Sequence, residues 1–100
     1  MELKRVVVTG FGAITPVGNN ANEYWESLLK GKSGAAPITL FDATNFKTKF
    51  ACEVKDFDPL QHFDKKEAKK MDRNTQLGLV AAREAVAHSR IMEDNVDKNR

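Results

Sequence analysis

The segment Lys4-Arg5-Val6-Val7-Val8-Thr9-Gly10 narrows the architecture more than any other part of the chain. β-Branched side chains suit an extended backbone, and an uninterrupted apolar run lacks the alternation of a strand that is wet on one face. Residues 4–9 are therefore expected to form a central strand buried on both sides. Such a strand needs a neighbour at each edge and a covering layer on each face. The rest of a chain of 100 residues hardly supplies them, so 1–100 reads as part of a larger α/β body. Hydrophobic residues make up 41% of the chain, which excludes a disordered segment. A net charge of +2 is too weak to imply nucleic acid. No apolar run approaches the roughly 18 residues of a membrane span, and the three valines after Met1-Glu2-Leu3-Lys4-Arg5 are too few for a signal peptide. The expected location is cytoplasmic, with no membrane partner.

After the strand, residues 11–20 mix glycine, proline and asparagine, which is turn chemistry. From Asn22 to Lys30, Tyr24, Trp25, Leu28 and Leu29 recur at helical spacing, with Asn20 or Asn22 as N-cap and Gly31 as the stop. Residues 32–42 show no sustained period. Phe50, Cys52 and Val54 then alternate with Ala51, Glu53 and Lys55, predicting a strand with Phe50, Cys52 and Val54 on its dry face. Asp64-Lys65-Lys66-Glu67 is a variant capping box that starts a helix. A further helix is expected over 76–89, with Leu77, Val80, Ala81, Ala85 and Val86 as its core stripe and alanines that permit close packing; Met71 can join the two helices. The tail from Glu93 to Arg100 is polar and adds no apolar element.

Candidate chemistry is sparse. The glycines of Gly10-Phe11-Gly12 invite a dinucleotide fingerprint, but Thr15 and Pro16 stand where the pattern needs its third glycine, and no acidic residue ends a second strand downstream. A tight turn leaving the strand is the better reading. The single cysteine, Cys52, lies on the apolar phase of its strand and is expected to pack. His62 and His88 have no sequence neighbour that marks them as bases or ligands, and solvated or locally hydrogen-bonded roles suit them. No metal site and no catalytic constellation is visible. The strongest signal is Lys65-Lys66-Glu67-Ala68-Lys69-Lys70-Met71-Asp72-Arg73, in which Lys66, Lys69, Lys70 and Arg73 fall at i, i+3, i+4 and i+7 of a continuous helix. One face would then carry four cations. Spacing alone favours a solvated face over an acidic partner.

Three blocks carry a family resemblance. Val6-Val7-Val8-Thr9-Gly10-Phe11-Gly12 with Thr15-Pro16-Val17-Gly18, Lys49-Phe50-Ala51 with Val54-Lys55-Asp56-Phe57, and Lys70-Met71-Asp72-Arg73 with Thr75-Gln76 together resemble the N-terminus of the bacterial β-ketoacyl-acyl carrier protein synthase II family. The resemblance implies a thiolase-like, layered α-β-α-β-α fold, of which residues 1–100 would be the N-terminal portion of the first half. It implies a cytoplasmic homodimer that elongates fatty acyl chains without a cofactor, its substrates carried on the phosphopantetheine arm of acyl carrier protein. The nucleophilic cysteine and both active-site histidines of that family lie beyond Arg100, so no catalytic residue carries over and residues 1–100 alone are expected to be inactive. What carries over is a docking surface for carrier protein at Lys66, Lys69 and Lys70, with Lys65 and Arg73 adding to the field. The alternatives are a polyketide-type ketosynthase segment, a nucleotide-binding fragment and a non-catalytic binding module using the basic helix.

Overall fold

A computed structural model describes residues 2–93; the tail from 94 to 100 lies outside the described residues. The element order is α1 (Ala21–Leu29), β1 (Ala35–Pro37), β2 (Phe50–Cys52), a 3-10 turn (Pro59–Gln61), α2 (Lys65–Lys70) and α3 (Arg73–Ser89). The two strands form one antiparallel pair, with Ala35 opposite Cys52, Ala36 opposite Ala51 and Pro37 opposite Phe50.

Helix α1 lies one residue earlier at each end than the expected 22–30, with Asn20, one of the two expected caps, at its start. Asn20 accepts a 2.9 Å hydrogen bond from the Glu23 amide, satisfying one of the free N–H groups of the first turn. Gly31 follows with φ +64, a conformation that glycine adopts without a Cβ penalty. The apolar stripe is not covered: Trp25 and Leu29 are largely exposed, whereas Ser27 is buried because its hydroxyl donates to the Val17 carbonyl at 2.6 Å.

The valine run departs from expectation. Residues 4–9 pair with no strand among the described residues, and Val6 and Val8 are 89% and 85% exposed. The reason is physical: a strand exists through ladder bonds to a neighbour, and the described residues place none beside this segment. Residues 35–37, which lack a sequence period, instead pair with residues 50–52. The phase of β2 also differs from expectation. Phe50 and Cys52 are exposed and Ala51 is half-buried, so Cys52 is a free surface thiol and not a packed one.

The packing that does occur gathers on α3. Leu77, Val80, Ala81 and Ala85 are half-buried as expected, while Val86 remains open. The backbone of Gly10 and Gly12 lies directly against this helix. A Cβ on Gly12 would approach the Ala81 carbonyl oxygen to 2.1 Å, and one on Gly10 would approach the Ser89 amide to 2.5 Å. The glycine pair therefore serves close approach of loop to helix, consistent with the small residues at 81 and 85. Glu84, between them, accepts from the amides of Ala13 and Ala21, tying the loop and the first turn of α1 to α3.

Lys55 holds the other side of the loop. Its ammonium donates to the carbonyls of Pro16, Gly34 and Glu53 at 2.9–3.1 Å, which uses all three of its donors. Very little of the chain is enclosed. Among the described residues Phe63 is the one buried hydrophobic side chain, and the radius of gyration is 17.7 Å where about 13 Å is usual for a compact domain of this length.

Candidate functional site

The basic segment forms a short surface helix. Asp64 caps α2 by accepting from the Glu67 amide at 2.7 Å, the aspartate half of the expected capping box. Acidic Glu67 in the first turn and Lys69 and Lys70 in the last complement the helix dipole, whereas Lys65 and Lys66 at its start oppose it. At 100° per residue Lys65, Lys69, Lys66 and Lys70 sweep an arc of about 140°. All four are exposed, while Ala68 on the far side is half-buried. Among the described residues the one ion pair joins Arg90 to Glu93 at 2.7 Å, so no carboxylate neutralises the lysine face.

Six residues are too few for a helix to hold itself together in water. Helix α2 is held by its surroundings. Immediately before it, Phe63 is buried beneath the Arg83 guanidinium, which lies 4.6 Å from the ring centroid and donates to the His62 carbonyl at 2.8 Å. At its other end the buried Gln76 side chain donates to the carbonyls of Ala68 at 3.1 Å and Met71 at 3.5 Å.

Arg73 does not share the lysine face. Met71 is extended, at φ −114 and ψ 139, so the two helices are separate and the i, i+7 relation from Lys66 to Arg73 breaks there. Asp72 opens α3 by accepting from the Thr75 amide at 2.7 Å. The half-buried Arg73 reaches back to donate to the Val54 carbonyl at 3.3 Å, with its guanidinium 5.5 Å from the Phe57 ring centroid. Its geometry locks the 54–57 loop to the start of α3. The break had a signal in sequence, since Asp72 is a residue type preferred at a helix N-cap.

Cys52, His62 and His88 share no hydrogen bond. Cys52 is exposed, His62 stacks on Phe57 with ring planes 12° apart, and His88 accepts from the Phe11 amide through Nδ1 at 3.3 Å. An open cleft of about 490 Å³ lies beside the 15–19 loop, with Glu23, Glu26, Lys30 and Lys32 among its lining residues. The Lys55 ammonium in its wall is already saturated by carbonyls, which leaves it no donor for an anion. The exposed basic helix is thus the better-defined feature.

The model of the family described as "Beta-ketoacyl synthase, N-terminal domain" matches residues 3–100. The chain belongs to this family. It is 47% identical over 100 residues to 3-oxoacyl-(acyl-carrier-protein) synthase 2 of Synechocystis sp., covering 98% of this chain and 24% of that protein. The synthase 2 of Vibrio harveyi is 48% identical over 97 residues, covering 95% of this chain and 23% of the relative. The chain therefore spans about a quarter of the length of the curated relatives it matches. Among solved structures, the ishigamide ketosynthase/chain length factor superposes with a TM-score of 0.75 at 41% identity, over 89% of this chain and 22% of that one. The thiolase-like α/β class implied by the resemblance is the class of this β-ketoacyl synthase segment.

Proposed function

We propose that residues 1–100 form the N-terminal part of a condensing enzyme that elongates fatty acyl chains. The observation that carries this reading is the 47% identity, over nearly the whole chain, to a 3-oxoacyl-(acyl-carrier-protein) synthase 2. In the proposed reaction an acyl group passes from carrier protein to a cysteine of the enzyme, releasing the carrier thiol. Malonyl-carrier protein then loses carbon dioxide, and the carbanion left behind forms a carbon–carbon bond to the acyl carbonyl as the cysteine thiolate departs. The cysteine and its oxyanion-stabilising partners belong to the part of the enzyme beyond Arg100. No cofactor enters, and the substrates ride on the phosphopantetheine arm. The same reading has 4–9 as an inner strand of a larger sheet, which accords with valines that the described residues leave uncovered. It also includes a cytoplasmic homodimer; among the described residues no helix is long and apolar enough to cross a membrane.

In this reading α2 docks acyl carrier protein through Lys65, Lys66, Lys69 and Lys70. Four exposed ammonium groups, with no ion-pair partner among the described residues, on a helix held at both ends suit an acidic partner that must be steered and oriented. Arg73 adds to the field through its charge, while holding the loop. The test is the full-length enzyme with Lys66, Lys69 and Lys70 reversed to glutamate. The Michaelis constant for acyl-carrier protein should rise and its salt dependence flatten, while reaction with a small acyl thioester persists. Equal losses on both substrates would reject docking. The likeness to the ishigamide ketosynthase favours a polyketide-type carrier protein as the second reading, and competition between the two carrier proteins for one enzyme separates them.

A further inference from the structure

We infer that Gln76 and Arg83 are positioning residues for the lysine face, an inference that rests on the docking reading of α2. The two lie seven residues apart on α3, so they share one side of that helix about 10 Å apart along its axis. Their targets flank α2. Arg83 holds the His62 carbonyl just before the helix, and Gln76 holds the Ala68 and Met71 carbonyls at its end. The two chain segments therefore run in opposite directions, with α2 suspended from α3 at both ends.

The chemistry of Gln76 is the sharper observation. The residue is 7% exposed, and burying an amide costs free energy unless it is hydrogen-bonded. An apolar residue could fill the same space without that cost. The amide instead donates to the Ala68 carbonyl, which otherwise holds only a long 3.4 Å bond from the Met71 amide, and to the Met71 carbonyl at the C-cap of another helix. Arg83 likewise combines a ring contact with Phe63 and a carbonyl bond, fixing the chain just ahead of Asp64. Without these grips a helix of six residues would fray, and its lysines would sample many directions. Fixed charges orient a partner with less ordering cost than mobile ones do. Gln76 and Arg83 thus act on carrier-protein binding through α2 without touching the carrier protein.

The experiment uses the full-length enzyme with Gln76→Met, close in size but without a donor, and separately Arg83→Lys, which keeps charge but loses the planar fork. The readout is the ratio of kcat/KM on acyl-carrier protein to kcat/KM on a small acyl thioester. Each variant should lower the ratio about fivefold. Adding either change to the triple lysine reversal should lower it no further, because residues acting through one surface are not additive. Equal falls on both substrates, or ratio losses that simply add to those of the triple variant, would overturn the inference. If Gln76→Met does not fold, Arg83→Lys carries the test from the other end of α2. A triple reversal that leaves the ratio untouched would instead reject docking itself, so the two failures are distinguishable.

Discussion

Gly12 lies against Ala81 so closely that a Cβ on the glycine would come within 2.1 Å of the Ala81 carbonyl oxygen. The obstacle is helix backbone, which cannot rotate aside as a side chain can. The same imagined Cβ would meet the Ala85 amide nitrogen at 2.9 Å, so sliding along α3 gives no relief. Gly12→Ala should therefore destabilise the protein by about 3 kcal/mol, the upper end of the range for overpacking. Urea denaturation of the full-length protein measures this. A loss below about 0.5 kcal/mol, the usual scatter of surface substitutions, would show that loop and helix part easily.

What the residues disclosed in advance was chiefly local. Asn20 and Gly31 bound α1 because a cap and a left-handed stop act within one turn. The alanines of α3 pointed to close packing, and the glycines of the 10–12 loop supply the other half of that contact. What escaped was long-range or inverted. Residues 35–37 carry no β-branched side chain and no alternation, and become a strand only because 50–52 pairs with them. The expected phase of β2 followed the bulk of Phe50 and Cys52, whereas the half-buried position is Ala51. Arg73 fitted a lysine stripe by spacing, and the cap at Asp72 removed it from that helix. Glu84 gave only the faint signal of a carboxylate set among the alanines of an inward stripe.

Asp72 links the stability of this region to pH. The Thr75 hydroxyl first, and the Thr75 amide second, hold its carboxyl below the ordinary aspartate value. A group whose pKa is lower in the folded state binds its proton less readily there, so its stabilisation is present above the unfolded value and fades as pH falls through the folded one. The window therefore lies below about pH 4. Thr44 acts on Asp42 in the same direction. At Glu53, desolvation pushes the pKa up, but bonds from the Thr39 and Leu40 amides and the Thr39 hydroxyl, with the charge of Lys55, outweigh it. Asp72→Asn retains a capping oxygen but does not titrate. The melting temperature of the full-length protein should exceed that of the variant at neutral pH and converge on it as pH falls below about 4. A gap that stays constant into acid would exclude this carboxylate as a source of pH dependence.

Glu84 holds two segments with one carboxylate. Oε1 accepts from Ala13 N at 2.9 Å and Ala21 N at 3.2 Å, and Oε2 accepts from Ala21 N at 3.0 Å. Ala21 is the first residue of α1, so the negative charge also faces the positive end of that helix dipole. Glu84→Gln preserves size but replaces one acceptor oxygen with a donor that faces an amide N–H, and loses the charge. Hydrogen bonds to charged groups contribute more than neutral ones, so the variant should lose about 2 kcal/mol in chemical denaturation. The loss should be local as well as global. Amide exchange at Ala13 and Ala21 should accelerate more than exchange within α3, because the helix that carries Glu84 keeps its own backbone bonds. Uniform acceleration across all three would mean that the carboxylate supports the protein generally and does not tether the 13–21 loop to α3.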